Sequence, residues 1–499
     1  MKGLFGFVPR LHRWLGSGLF LFMLTWCGSG IVMLFARFPH VPEAERLAHL
    51  SPLHRQDLPS PAALSQLPLA EQPDHGANIR MRRDRLGAHF LFAARAGTPA
   101  RIEAPPGKRL QLVHSIEQRD LHALVTPYFR DEGPIAESTR VMGDRWTMRP
   151  FYGRHYPLLR VTSEAGDDVY LCESTGEVLQ RTTPTTRLLA WLGAIPHWWY
   201  LRALREHPPL WEGAVSVAAG CLLVLCLSGL WGGLRQLARS QRLSWHAVLG
   251  LGFGGVASVW ALSGALSVNP LGLLPGPWST GSLDQCLQGS ELSVDAYSRH
   301  PSDALSACRP LLGHVREIEL TQLGGKPYYL CKNEFASTAV TPADRPGAPA
   351  TRHFTSAQLR TALACEDPAV KVDIETLALT SKPDEFHHAR LDGSKLQVPY
   401  GRVEMAGSPG GRVYLDVHRG RALAIYDAAG IRHHFLFTKL HTWDYAWLRR
   451  HPQLRRALML VALAGGTLLG LSGTRAALGR AVGMSRRRRR KARDAAPRA

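Results

Sequence analysis

Apolar positions are not spread along this chain; they are gathered into four blocks. No Asp, Glu, Lys or Arg occurs from Trp14 to Ala36, from Gly213 to Leu234, from Leu243 to Leu283, or from Ala457 to Thr474. A helix needs about 20 apolar residues to cross the hydrocarbon core of a bilayer, so each block is long enough or nearly so. The pattern predicts four transmembrane helices, at 14–36, 210–234, 245–268 and 454–474. The third block exceeds one span, and Asn269-Pro270 is the natural place for its helix to stop. The fourth block is short, and its helix can extend upstream if Arg455 and Arg456 snorkel to the interface.

Lys2, Arg10 and Arg13 precede the first block as they would a signal peptide. That block is too long for a signal core, and Phe35-Ala36-Arg37-Phe38-Pro39 makes a poor cleavage site, so it reads as an anchor. The short link at 235–244 carries Arg235, Arg239 and Arg242 without an acid, and the tail at 475–499 carries the run Arg486 to Arg490. Positive segments stay inside, which predicts both termini and the link in the cytoplasm. The loops at 37–209 and 269–453 then lie outside. The net charge of +20 is partly this topology signal. A basic tail beside a membrane reads as a topology or anionic-lipid element before it reads as a nucleic-acid site.

An internal repeat underlies the four spans. At a displacement of 234, His12 meets His246, Gly16 meets Gly250, Trp26 meets Trp260, Ser29 meets Ser263 and Gly30 meets Gly264. At a displacement of 244, His197 meets His441, Trp199 meets Trp443, His207-Pro208 meets His451-Pro452, and Ser228-Gly229 meets Ser472-Gly473. Each half is span, outer loop, span, and both halves start inside. They form two tandem parallel repeats about a pseudo-two-fold axis along the membrane normal. Residues near such an axis are presented twice, each facing its copy.

The loops read as mixed α and β, with hairpin patterns at Leu158 to Leu179 and Gly411 to Tyr426. Thr341 to Thr351 reads as an exposed loop rich in Pro, Ala and Gly. Four of the eight cysteines, Cys286, Cys308, Cys331 and Cys365, fall in the second loop. In an oxidising compartment they predict two disulfides, with three pairings open.

Of 22 histidines, the copied ones carry the chemical signal. His12 and His246 open the first and third spans, while His197 and His441 precede the second and fourth. An ionisable side chain at the membrane is a functional candidate, and neutral imidazole is a common metal ligand and an axial ligand of haem iron. The plainer reading is an interfacial histidine bonded to a carbonyl. His207 and His451 precede prolines and read as helix-start residues. The copied Ser-Gly pairs read as close helix packing. Trp26 and Trp260 read as packing, with a role in electron transfer the alternative. No nucleophile elbow, phosphate loop or Cys-x-x-Cys pair is present, so no catalytic side chain is named.

Leu11-His12-Arg13-Trp14-Leu15-Gly16 with Ser29-Gly30 resembles the first-span signature of PepSY-associated transmembrane proteins. Gly193-Ala194-Ile195-Pro196-His197-Trp198 and Leu440-His441-Thr442-Trp443-Asp444 resemble that family's approaches to its later spans. The resemblance implies an integral membrane α-helical protein with two α+β PepSY-like periplasmic domains, in the bacterial inner membrane. It implies two haem b groups, with His12, His246, His197 and His441 as iron ligands. It further implies reduction of a ferric siderophore or other ferric chelate, fed by an unidentified electron donor. The rival is a cofactor-free regulatory protein whose periplasmic loops bind a peptide or partner.

Overall fold

The structure is a computed structural model that describes residues 2–65, 78–93, 99–103, 111–131, 133–148, 150–269, 280–289, 294–365, 371–389 and 396–494. Four long helices form a bundle: α1 (Lys2–Met33), α2 (Pro208–Ala238), α3 (Trp245–Ser267) and α4 (Pro452–Asp494). Their apolar parts, Phe7–Met33, Pro208–Ala238, Trp245–Ser267 and Pro452–Gly479, are each long enough to cross a membrane. The limits shift by a few residues from the sequence reading: the first span covers Phe7–Met33 and the second Pro208–Ala238. The fourth span begins at Pro452, whose fixed φ suits a first helical turn, and α4 runs on through the basic tail to Asp494. The third helix stops at Ser267, just ahead of Asn269, which sits at φ 50°. Pro270 lies outside the described residues.

The helices pack α1 against α2 and α4, and α3 against α2 and α4. Met23, Cys27, Leu222, Leu225, Ala257, Ala261, Leu463 and Leu469 fill the middle. Small residues, among them Gly466 and Gly470, set the closest approach. A methyl group on Gly466 would stand 2.6 Å from Cys27 Sγ, and one on Gly470 would stand 3.2 Å from the Leu24 backbone nitrogen. Outward-facing Leu210, Val217, Leu227 and Leu234 are exposed, as side chains facing lipid should be.

Each of the two long loops builds a four-stranded antiparallel sheet. In the first, strands Ile135–Val141, Leu158–Ser163, Asp168–Cys172 and Val178–Thr182 lie side by side in chain order. In the second, Val372–Thr380, Tyr400–Met405, Arg412–Asp416 and Arg421–Tyr426 do the same. Both expected hairpins are present within them.

A third sheet was not foreseen. It has seven strands, and both loops build it. Strand Asn78–Asp84 of the first loop pairs with Val315–Leu323 of the second, aligning Arg80 with Glu319, Met81 with Ile318 and Arg82 with Glu317. Val315–Leu323 then turns back through Gly324-Gly325, both at positive φ, into Lys326–Asn333. A two-residue turn with positive φ at both positions matches the strand twist, and glycine adopts it without a steric cost.

Alternation along Val315–Leu323 gives this sheet two unlike faces. Ile318 and Leu320 join an apolar core with Met81, Phe90, Tyr329 and Cys331. Glu317 and Glu319 point the other way, into a buried charge cluster. Arg82 bonds Glu317 and reaches Glu177 at 3.0 Å, while Arg80 binds Glu177 with both nitrogens at 2.9 Å. Lys332 Nζ donates to Glu317 at 2.9 Å, to Glu319 at 2.8 Å and to Glu43 at 3.2 Å. Burial opposes charge on these carboxyls, but their cations outweigh it. Glu177 and Glu317 are held well below the usual carboxylate range, and Glu319 is drawn down to about 2.

One expectation for the second loop needs correction. A disulfide joins Cys286 to Cys365, but Cys308 and Cys331 are free, buried thiols that contact each other through their side chains. Thr341 to Thr351 is an exposed loop over most of its length, with residues 344–347, 349 and 351 exposed, but it is anchored at both ends. Thr341 and Pro342 end the strand Thr338–Pro342, Val340 exchanges backbone bonds with Thr351, and Arg299 ties the segment down through Thr341 Oγ1, the Pro342 carbonyl and the Ala348 carbonyl. A buried guanidinium with five donors organises a segment whose composition alone reads as a loop.

Candidate functional site: two histidine pairs in the helix bundle

The four histidines singled out by the sequence are brought together in twos. His12 on α1 and His246 on α3 face each other with ring centres 6.1 Å apart and planes inclined at 50°. His197 and His441 face each other at the opposite end of the bundle, also with centres 6.1 Å apart, at 70°. His12 and Ser29, which mark the two levels on α1, are 17 positions apart, or about 26 Å along a helix. One pair therefore sits near each end of the spans. His207 and His451 stand elsewhere, exposed at the starts of α2 and α4. Their carbonyls accept from Trp211 and Arg455, but the His207 side chain makes no capping bond.

Short helices deliver the second pair. Ala194–Trp198 carries His197 and Leu440–Thr442 carries His441. Both are closed by a tryptophan in the left-handed region, Trp199 at φ 49° and Trp443 at φ 54°. A bulky side chain there is a strained choice that packing must hold. Trp199 lies 4.8 Å from Phe22 and 6.1 Å from Trp26, and Trp443 stacks on Trp260 at 5.6 Å. The Trp260 indole donates to the His441 carbonyl at 2.9 Å. Trp26 and Trp260 thus belong to the His197–His441 end rather than to the space between the pairs.

The partners of the imidazoles are serines that the sequence reading had assigned to helix packing. His12 Nδ1 is 3.1 Å from Ser228 Oγ, and His246 Nδ1 is 2.8 Å from Ser472 Oγ. His197 Nδ1 is 3.1 Å from Ser29 Oγ, and His441 Nδ1 is 3.0 Å from Ser263 Oγ. The glycine after each serine lies under the same ring. A methyl group there would stand 2.8 Å from the imidazole Cε1 at Gly229, 3.5 Å at Gly473, 3.7 Å at Gly30 and 3.8 Å at Gly264. Two residues thus act on each ring, one by a hydrogen bond and one by lacking a side chain. The signal was present in the sequence, because these Ser-Gly pairs are copied along with the histidines. Nothing in the sequence said which ring each would meet.

The His197–His441 end is not the same on both sides. Asp444, three residues after His441, is buried and holds His388 Nε2 at 2.7 Å and Arg455 at 2.9 Å. Burial works against its charge, and His388, Arg455 and Arg449 nevertheless keep its carboxyl below the usual value. Its counterpart position holds Tyr200, packed against Phe38 and under the Arg205 guanidinium. Phe437 stacks on His441 at 5.3 Å and 19°. Among the described residues, no three His, Cys, Asp or Glu are gathered as a metal cage. The arrangement offers pairs of opposed imidazoles, with the remaining donors of any bound metal left to come from elsewhere.

No curated protein matches the chain. The sequence model of the PepSY-associated TM region matches residues 9–480, all four spans and both loops included. With its four spanning helices and separate α+β sheets, the chain is a multi-pass membrane protein that belongs to the PepSY-associated transmembrane family.

Proposed function

We propose that the chain is an electron-transfer protein of the bacterial inner membrane that holds two haem b groups and reduces ferric chelates, such as ferric siderophores, in the periplasm. The observation that carries this reading is the spacing within each histidine pair. An imidazole nitrogen binds a metal at about 2 Å with its ring centre roughly 1 Å behind, so two imidazoles opposed on one ion have centres about 6 Å apart. Both pairs have centres 6.1 Å apart. His12 with His246, and His197 with His441, are the residues that would hold the two irons. Bound haem supplies one-electron transfer, and the chain supplies placement and access.

Supporting the direction of transfer, Arg235, Arg239, Arg242 and the basic tail argue for a cytoplasmic link and termini. His12 and His246 then lie on the cytoplasmic side, and His197 and His441 lie below the periplasmic sheets. The two copied halves, read as tandem parallel repeats, explain why each pair takes one ring from each half. In this reading the electron donor works from the cytoplasmic side or the membrane, and the chelate from the periplasm.

A reduced-minus-oxidised absorption spectrum of the purified protein tests it. A b-type haem signal is expected at two haems per chain. His12→Ala and His246→Ala should each remove the same half of it, and His197→Ala and His441→Ala the other half. Doubles within a pair should remove little more than singles, while doubles across pairs should remove both haems. Wild-type protein purified without haem from cells amply supplied with it would leave the cofactor-free binding reading in its place.

A further inference from the structure

We infer that the four serines preset each imidazole as its Nδ1–H tautomer, leaving the Nε2 lone pair as the donor for the iron; the consequence rests on the haem reading, but the tautomer does not. A hydroxyl has one proton to give. Ser29 Oγ lies 3.1 Å from the Trp26 carbonyl, Ser228 Oγ 2.9 Å from Leu225, Ser263 Oγ 3.2 Å from Trp260, and Ser472 Oγ 2.8 Å from Leu469. A carbonyl can only accept, and each hydroxyl donates to the carbonyl one helical turn back. With its proton so placed, the hydroxyl oxygen accepts from the imidazole.

A second set of contacts gives the same answer. His12 Nδ1 is also 3.1 Å from the Leu225 carbonyl, and His197 Nδ1 is 3.2 Å from the Trp26 carbonyl. Neither oxygen has a proton, so Nδ1 must carry one. Neutral imidazole has a single N–H, which places the lone pair on Nε2.

Each serine is therefore a positioning residue. It fixes which nitrogen is bare and how the ring turns about its axis. An acceptor on the far N–H also raises the donor strength of the ligating nitrogen, which favours the oxidised metal. Serine is suited to this. Its short side chain reaches both the preceding carbonyl and a ring that crosses the helix above a glycine.

The test uses the full chain in lipid nanodiscs with 15N-labelled histidine. In haem-free protein, the four imidazoles, identified by loss of signal in His12→Phe, His246→Phe, His197→Phe and His441→Phe, should show a protonated Nδ1 and a bare Nε2. A protonated Nε2 at these rings would overturn the inference. In haem-loaded protein, Ser228→Ala or Ser472→Ala should raise the midpoint potential of the inner site and leave the outer one unchanged. Ser29→Ala and Ser263→Ala should do the converse. Ser472→Thr, which keeps a hydroxyl, should restore the wild-type potential. Loss of haem with no change in the potential of what remains would reduce the serines to packing and also overturn it. Wild-type protein that takes up no haem defeats the reductase reading, while the nitrogen signals still decide the tautomer.

Discussion

Gly229 lies directly beneath His12, so close that a methyl group on its α-carbon would stand 2.8 Å from the imidazole Cε1. Real side chains do not approach that near, so Gly229→Ala must move the ring. On the same helix, a methyl group at Gly220 would meet nothing within 4 Å. If the proposed haems are bound, Gly229→Ala is expected to abolish the signal of the His12–His246 site and spare that of the His197–His441 site, whereas Gly220→Ala keeps both. Equal spectra in the two variants would show that His12 does not depend on this approach.

Glu317 is the hub of the charge cluster that joins the two outer loops, with Arg82, Lys332 and Arg46 all within reach. Removing one member of a buried ionic group strands the others, at about 3–5 kcal/mol. Glu317→Ala is therefore expected to speed amide hydrogen exchange most in Asn78–Asp84 and Val315–Leu323, the two strands that join the loops. Unchanged protection in those strands would mean that the loops are held together by other contacts.

The same cluster predicts a pH response. Glu319 has a folded pKa of about 2 against roughly 4.3 in an unfolded chain, a difference on the order of 3 kcal/mol. Because the folded value is depressed, the contribution is present in full above the unfolded value. It is lost as pH falls toward 2, and Glu317 and Glu177 shift in the same direction. Thermal unfolding of the outer region should therefore fall in temperature on acidification below about pH 4.5. Glu319→Gln should flatten that slope. An identical slope in the variant would remove Glu319 from the account.

Cys286–Cys365 closes a loop with a sequence separation of 79. For loops of this length the chain-entropy estimate is about 4 kcal/mol of stabilisation. Non-reducing mass spectrometry should find this one link in the second outer loop. Cys308 and Cys331, both buried, should be alkylated only after denaturation. Cys286→Ser should lower the unfolding temperature of the outer region, and Cys308→Ser should act only through packing.

Reporter fusions at Arg239 and after Met484 should score cytoplasmic, and fusions at Gly133 and Gly347 periplasmic. A periplasmic score at Arg239 would reverse the assignment of inner and outer histidine pairs.

Much of the architecture was legible in one dimension, because the bilayer imposes a one-dimensional rule. Blocks free of charge must be helices where no water can satisfy the backbone, so the four spans could be read from spacing alone. The copied positions named the histidines, and the structure sets each one facing its copy. Tertiary structure alone decided which ring meets which serine, because those partners come from different helices and depend on how deep each helix packs. It also decided that Ser29-Gly30 and Ser228-Gly229 serve the imidazoles as well as the helix contact. The shared seven-stranded sheet was invisible for a similar reason. Strand alternation shows that Arg80, Arg82, Glu317 and Glu319 occupy particular faces, but strands from two distant loops can be paired only in three dimensions, where buried opposite charges must find each other. Cysteine count foretold two disulfides; the structure links Cys286 to Cys365 and sets Cys308 beside Cys331 as thiols, and only the tertiary structure shows which sulfurs come together.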